Sequence, residues 1–133
     1  MLKINKRFLI ALLTFTLPFG YVGCASDGGS ATYEQISGAE AKALMDSESG
    51  YIIIDARTQE EYDQGHIPGA VLIPEYEIAD RAEKELTDKD QLILVYCRSG
   101  RRSKIAAEEL VKLGYTNVKE FGGIIDWEYE IVK

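Results

Sequence analysis

The chain of 133 residues carries 15 Lys and Arg residues against 22 Asp and Glu residues, which gives a net charge of −7. This length allows one domain with a substantial core and leaves no room for two. The ordinary apolar content excludes collagenous and disordered classes, and the acidic charge disfavours binding to nucleic acid phosphates.

The first 23 residues have the layout of an export signal. Three basic residues among the first seven precede an apolar run from Phe8 to Phe19, and small residues follow it. The segment YVGC (residues 21–24) resembles the lipobox of bacterial lipoproteins, in which the cysteine becomes the lipidated first residue. We therefore expect residues 1–23 to be a lipoprotein-type signal peptide, and the domain to be exported, extracytoplasmic and lipid-anchored to a bacterial membrane through Cys24.

Two other fates of this segment stay open. The triplet Gly-Cys-Ala at 23–25 also satisfies the small-x-small rule, so ordinary cleavage could fall after Ala25 and leave no lipid. The segment could also remain as an uncleaved anchor, although its apolar run is short for a membrane span and contains Pro18. Residues 24–32 are small and polar, as in a flexible tether, so we place the folded domain at residues 33–133.

The chain contains two cysteines, Cys24 and Cys97. If Cys24 carries lipid, Cys97 is a free thiol in an oxidising compartment, where a disulfide is the usual expectation. Without residues 1–23 the chain has 12 Lys and Arg residues against 22 Asp and Glu residues, yet three of its five arginines directly follow Cys97. A buried, inert cysteine would be expected among apolar neighbours, and these neighbours are charged.

Short apolar runs alternate with helical patterns along the domain. We predict strands at 33–36, 51–54, 71–73, 92–96 and 118–121, and helices at about 37–45, 58–65, 76–86 and 103–113, with a short closing helix near Trp127. Capping boxes at Ser37–Glu40 and Thr58–Glu61 indicate where the first two helices begin. The second and fourth strands do not alternate in polarity, which is typical of strands covered on both faces. The pattern predicts a single α/β domain with a mostly parallel sheet and helices on both faces.

The segment VYCRSGRRS (residues 95–103) surrounds Cys97 with three arginines, a glycine and two serines. It lies between a predicted strand and a predicted helix, at the sheet edge where α/β proteins place their sites. Gly100 permits a loop whose amides turn inward, and the following helix N-terminus also favours negative charge. Such surroundings lower a thiol pKa from about 8.5 to between about 3.5 and about 7.5. We therefore expect a reactive Cys97 thiolate rather than a thiol packed beneath a solvated loop.

Three motifs together resemble the rhodanese family of sulfurtransferases: CRSGRRS at 97–103, IIIDARTQEEYDQGHIPGAVLIP at 52–74 and VKEFGGIIDW at 118–127. The resemblance covers essentially the whole domain, with the motifs in the family's order. It implies a five-stranded α/β fold and a sulfane sulfur carried as a covalent persulfide on Cys97, without a metal or an organic cofactor. The substrate-binding loop of the family falls on Arg98, Ser99, Gly100, Arg101, Arg102 and Ser103. Its Asp-x-Arg motif falls on Asp55 and Arg57, which we expect to support the site structurally.

The resemblance further implies a small-molecule sulfur donor such as thiosulfate, and a thiol, cyanide or a protein as acceptor. A non-catalytic binding module and a tethered persulfide carrier for a partner protein stay open as alternatives. Arsenate or phosphate chemistry is disfavoured, because cysteine phosphatases place the loop arginine after five intervening residues and Arg102 follows Cys97 after four. One histidine, His66, and one cysteine are too few in the domain for a structural zinc site.

Overall fold

The computed structural model describes residues 32–133. The predicted signal peptide at 1–23, the lipidation site at Cys24 and all of the 24–32 tether except its last residue lie outside the described residues. In the described part of the chain, no helix is long and apolar enough to cross a membrane.

Five strands and four α-helices alternate along residues 32–133. The strands are β1 (Glu34–Gln35), β2 (Ile52–Asp55), β3 (Val71–Leu72), β4 (Ile93–Cys97) and β5 (Val118–Gly123), and the helices are α1 (Gly38–Ser47), α2 (Gln59–Gln64), α3 (Ile78–Glu85) and α4 (Arg101–Lys112). The strands form one sheet in the order β1-β5-β4-β2-β3, and every pair of neighbouring strands is parallel. The α/β prediction is therefore confirmed, and the sheet is parallel throughout.

The central strand β4 sets the position of the site. It pairs with β2 on one side and β5 on the other, with Val95 opposite both Ile54 and Glu120. All five residues of β4 are buried, because helices cover both faces of the sheet. Its carboxyl end at Cys97 therefore opens at the centre of the sheet edge.

Two separate apolar clusters lie on the two faces of the sheet. One face packs against α3 and α4, and its fully buried residues include Ile54, Val95, Ala106 and Leu110. The other packs against α1 and the closing turn, and its members are Ala41, Ile53, Ile67, Ala70, Leu94, Tyr96 and Phe121. Each large aliphatic side chain removed from water contributes about 1.5–3 kcal/mol, so the two clusters hold the sheet edge in place.

Most predicted boundaries differ from the structure by one or two residues, and three differences change the type of an element or the residue where a helix begins. Residues 75–77 form a 3₁₀ turn before α3, so the helix predicted from 76 begins at Ile78. The closing helix is a 3₁₀ turn at Ile124–Asp126 that ends before Trp127. The last predicted helix begins at Arg101, two residues before Ser103, because Gly100 in a left-handed conformation (φ 101°) already turns the chain into the helix.

The two predicted capping boxes have different outcomes. At α1 the box is complete, because the Ser37 hydroxyl accepts from the Glu40 N–H and the Glu40 carboxylate accepts from the Ser37 N–H. At α2 the Thr58 hydroxyl accepts from the Glu61 N–H, but the reciprocal contact is missing. The Glu61 carboxylate instead binds Arg102 on α4.

Candidate active site

The loop after β4 wraps around the sulfur of Cys97. The β4–β5 pairing is irregular between Val95 and Cys97, and Cys97 lies opposite Gly123 of β5. The thiol is 1% exposed, and the Gly100 N–H donates to Sγ at 3.0 Å. The curvature at Gly100 thus points its own backbone N–H inward at the sulfur.

The ionisation of Cys97 reflects two opposing effects. Burial disfavours the charged thiolate and by itself would raise the thiol pKa. The Ser103 hydroxyl and the backbone N–H groups of Ser103, Gly100 and Ser99 act in the other direction, since each stabilises negative charge on the sulfur. The hydrogen bonds outweigh burial, so the pKa of Cys97 lies below its ordinary value.

The three loop arginines have different surroundings. Arg98 and Arg101 are exposed, whereas the Arg102 guanidinium forms a two-pronged ion pair with Glu61, at 2.7 Å from Nη1 to Oε1 and 2.8 Å from Nη2 to Oε2. The hydrogen bonds from Arg102 lower the pKa of Glu61, and those to Glu61 raise the pKa of Arg102. Arg102 is therefore charged and already paired, and Arg98 and Arg101 face solvent.

A cavity of about 290 Å³ lies beside the loop. Its lining residues are Arg57, Glu61, Gln64, Gly65, Arg98, Ile124, Ile125 and Ile131. Ile125 and Ile131 are more than half exposed and give the cavity an apolar part, whereas Arg57, Arg98 and Glu61 give it charged groups. The cavity is large enough for a small oxyanion, and the exposed Arg98 guanidinium could orient one.

Asp55 and Arg57 form a buried ion pair beneath this cavity. Arg57 Nη2 donates to Asp55 Oδ2 and to the Gly65 carbonyl, both at 2.7 Å, and the Tyr96 hydroxyl donates to Asp55 Oδ2 at 2.6 Å. Burial and the Asp55 charge raise the pKa of Tyr96, which stays a neutral donor. Burial lowers the pKa of Arg57, but its contacts with Asp55 more than compensate, so the pKa lies above its ordinary value. The pair ties β2, β4 and the turn after α2 together.

Sequence reasoning did not single out two residues that hold the loop from behind. The Glu120 carboxylate on β5 is 3% exposed, and its Oε1 accepts from the Ser103 hydroxyl at 2.6 Å and the Gly122 N–H at 2.8 Å. A Cβ on Gly123 would lie 2.0 Å from the Arg98 carbonyl oxygen, so the loop rests directly on backbone there. The Gly-Gly pair in the last motif could have indicated a close backbone contact at Gly123. Glu120 lies in a strand of mixed polarity, and nothing in the sequence marks it as buried or as part of the site.

His66 lies in the turn after α2. Its Nδ1 is 3.0 Å from the Tyr62 carbonyl oxygen, and its ring stacks on the Tyr62 ring with centroids 3.7 Å apart. Within residues 32–133, no group of three or more His, Cys, Asp and Glu side chains could hold a metal ion.

Residues 37–130 match the rhodanese-like domain family. The chain belongs to this family. Its rhodanese-like domain thus covers the whole sheet except β1, together with the Cys97 loop and the residues that support it.

Three curated relatives have names that refer to sulfur transfer or sulfur carriage. Thiosulfate sulfurtransferase PspE of Escherichia coli is 42% identical over 73 residues, 55% of this chain and 70% of that protein. Thiosulfate sulfurtransferase GlpE of Coxiella burnetii is 34% identical over 97 residues, 72% of this chain and 88% of that protein. The putative sulfur carrier protein YrkF of Bacillus subtilis is 38% identical over 103 residues, and the match spans 77% of this chain and 55% of YrkF.

Solved rhodanese structures share the fold. A structure described as a rhodanese with anions from E. coli superposes with a TM-score of 0.60 at 39% identity, over 63% of this chain and 99% of that one. A thiosulfate sulfurtransferase from Pseudomonas aeruginosa gives a TM-score of 0.68 at 28% identity, over 75% of this chain and 20% of that one. The domain is therefore a sulfurtransferase-type rhodanese.

Proposed function

We propose that this rhodanese transfers sulfane sulfur from thiosulfate, or a similar donor, to a thiophilic acceptor through a persulfide on Cys97. The observation that carries the proposal is the loop around the thiol, where the Gly100 N–H lies 3.0 Å from Sγ and the pKa of Cys97 is lowered. A thiolate at neutral pH is the nucleophile that sulfur transfer requires.

The first half of the cycle loads the sulfur. The Cys97 thiolate attacks the outer sulfur of thiosulfate, the bond between the two thiosulfate sulfurs breaks, and sulfite leaves with the bonding electron pair. Inward N–H groups of the loop then hold the negative persulfide, in the way that an oxyanion hole holds oxygen.

The second half releases the sulfur. An acceptor such as cyanide attacks the outer sulfur of the persulfide, thiocyanate leaves, and Cys97 regains its electron pair as a thiolate. The cycle needs no oxidant, reductant, metal or organic cofactor. A low-molecular-weight thiol or a protein thiol could take the place of cyanide.

The exposed arginines are the groups that would bind the negatively charged sulfonate of the donor. Arg102 is paired with Glu61, so Arg98 and Arg101 are the groups free to meet an anion from solvent. Arg98 also lines the 290 Å³ cavity, which supports the proposal that the sulfonate of thiosulfate binds beside the loop. The commitment of Arg102 to Glu61 likewise disfavours phosphate chemistry, which would need that guanidinium on the transferred group.

A tethered persulfide carrier is the second candidate, and the likeness to YrkF, named as a putative sulfur carrier protein, favours it. A carrier would load Cys97 in the same way but hand its sulfur only to a partner protein. A non-catalytic binding module would do neither.

The test is turnover of thiosulfate and cyanide by the purified full-length protein, measured as thiocyanate formed. We expect steady turnover that is abolished in Cys97→Ser, with Ser30→Ala, outside the domain, as a matched control that keeps it. Loading of sulfur without turnover would favour the carrier. The absence of both would leave the binding module.

We also propose that the chain is exported and lipid-anchored through Cys24. The export layout of residues 1–23 and the lipobox-like YVGC segment support this proposal. The intact mass of the mature protein tests it, since the expected mass includes acyl chains on Cys24. A mass that matches unlipidated cleavage after Ala25 would overturn the tethered arrangement.

A further inference from the structure

Glu120 is a buried carboxylate that has no role in the proposed sulfur-transfer cycle. It lies on β5 and is 3% exposed, and burial of a charge is costly unless other groups compensate it. Its Oε1 accepts two hydrogen bonds, from the Ser103 hydroxyl at 2.6 Å and the Gly122 N–H at 2.8 Å. Among residues 32–133, no Lys or Arg forms an ion pair with it. Its charge is therefore held by neutral donors alone.

Ser103 connects Glu120 to the thiol. The hydroxyl is fully buried and carries one proton, which can go to one acceptor at a time. Of its oxygen acceptors, Glu120 Oε1 is closest at 2.6 Å, and the Gly100 carbonyl lies at 3.0 Å. A hydrogen bond to a charged acceptor is about twice as strong as one to a neutral group, so Glu120 competes with Cys97 for this proton and weakens the hydrogen bond that the hydroxyl gives to the sulfur.

Glu120 also places its negative charge directly behind the loop. A Cβ on Gly100 would lie 3.8 Å from Glu120 Oε1, and the Gly100 N–H is the group that donates to Cys97 Sγ. The other charged groups around the site are the loop residues Arg98 and Arg101, which are exposed to solvent, and two ion pairs, Arg102 on α4 with Glu61 on α2 and Asp55 on β2 with Arg57. Glu120 is thus a buried charge behind the thiol that has no ion-pair partner among residues 32–133.

We propose that Glu120 is a positioning residue for Cys97: its carboxylate competes for the Ser103 hydroxyl proton and opposes negative charge on the sulfur, so that the thiol ionises less readily than its hydrogen-bond donors alone would allow. This proposal concerns Cys97, the nucleophile of the proposed function. It rests on that function, because a more reactive thiolate is useful only if Cys97 takes up sulfur. Intrinsic thiolate reactivity falls about threefold for each unit that the pKa falls, so a restrained thiol is a stronger nucleophile once ionised. Glu120 thereby lowers the fraction of Cys97 that is ionised and raises the reactivity of the thiolate that forms.

The test is the pH profile of Cys97 alkylation by iodoacetamide in the full-length protein, compared with Glu120→Gln. Glutamine keeps an oxygen for Ser103 and Gly122 but removes the charge. We expect the midpoint of the profile to move to lower pH, and the limiting rate at high pH to fall by about threefold for each unit of that movement. Glu108→Gln, an exposed change of the same charge on α4, should leave both quantities unchanged.

The route through Ser103 is tested by a double-mutant cycle. In a Ser103→Ala background the midpoint change caused by Glu120→Gln should be smaller, because part of the effect passes through the hydroxyl. If the Gln variant does not fold, the pair Glu120→Asp and Glu120→Asn replaces it, and the Asn member should have the lower midpoint.

A midpoint that stays in place or moves to higher pH in the Gln variant, or in the Asn member of the replacement pair, would overturn the proposal. It would show that Glu120 only braces the loop. Alkylation does not require sulfur transfer, so this result is independent of whether thiosulfate is turned over.

Discussion

Cys97 combines deep burial with a lowered pKa, two properties that normally exclude one another. Burial penalises a thiolate, and at Cys97 hydrogen bonds donated to the sulfur reverse that penalty. Gly100, Ser99 and Ser103 supply those bonds from a single loop. The acidity of the thiol therefore depends on the conformation of the loop, which lends itself to two tests by substitution.

The first prediction concerns stability and pH. Because the pKa of Cys97 is lower in the folded than in the unfolded chain, the unfolded state binds more protons in the interval between the two values. The resulting stability is complete above the ordinary thiol pKa and is lost as the pH falls through the folded value. Urea unfolding of reduced wild type and Cys97→Ser, at about pH 5 and about pH 9, should show a wild-type advantage that grows with pH. Parallel behaviour of the two proteins would contradict it.

The second prediction concerns Gly123, where the loop contacts backbone. In Gly123→Ala the new Cβ would meet the Arg98 carbonyl oxygen at 2.0 Å and the Ser99 Cα at 2.6 Å, so the loop must shift. We expect a loss of roughly 1–3 kcal/mol in the free energy of unfolding, and a large loss of sulfur transfer because the amides leave the thiol. Gly38→Ala, whose Cβ would meet Trp127 at 3.5 Å, is the control and should change neither quantity appreciably. Full activity in Gly123→Ala would argue against the amide cradle.

At the scale of elements, the ion pair between Glu61 and Arg102 joins α2 to α4 across the site. The sequence marks Glu61 as the reciprocal member of a capping box, and Arg102 as an anion-binding residue of the loop. In the structure the two side chains bind each other instead. A two-pronged guanidinium–carboxylate pair is stronger than the single contact that Glu61 would make with a backbone N–H. Spacing along one chain segment cannot show such a partner, which lies 41 residues away.

The third prediction tests this pair with Glu61→Gln. Both side chains are about a quarter exposed, so the loss of stability should stay below about 1 kcal/mol. The same change removes a negative charge from the cavity and frees Arg102, so the KM for thiosulfate should fall. Glu60→Gln, an exposed neighbour on α2, is the matched control. A KM that rises would show that the pair organises the donor site rather than competing with it.

The pair also has a pH dependence of known sign. The pKa of Glu61 is lowered by its hydrogen bonds from Arg102, so the stability that the pair contributes is present above the ordinary carboxyl pKa. It is lost as the pH falls through the lowered value.

At the scale of the whole molecule, the parallel sheet brings its functional groups to one edge. The order β1-β5-β4-β2-β3 places the ends of β2, β4 and β5 side by side, with Asp55, Cys97 and Glu120 at or near them. Strand–helix alternation and the non-alternating apolar runs were enough to predict this architecture from sequence. They could not predict which side chains would pair across strands, since Glu120 finds Ser103 only when β5 lies beside β4.

The fourth prediction concerns the buried network that joins β2, β4 and the turn after α2. Asp55→Asn leaves the Arg57 guanidinium buried with a neutral partner, and loss of one member of a buried pair costs about 3–5 kcal/mol. Asp46→Asn breaks an exposed pair with Lys42 on α1, and should cost less than about 1 kcal/mol. Chemical unfolding of both variants measures the difference. Equal effects would mean that the Asp55 network does not hold the strands together.

The central claim is that Cys97 carries the sulfur, and intact mass after thiosulfate treatment tests it most directly. Wild-type protein, incubated with thiosulfate and freed from excess donor, should gain the mass of one sulfur atom and lose it again when cyanide is added. Cys97→Ser should gain nothing. An unchanged wild-type mass, or an equal gain in Cys97→Ser, would contradict the account.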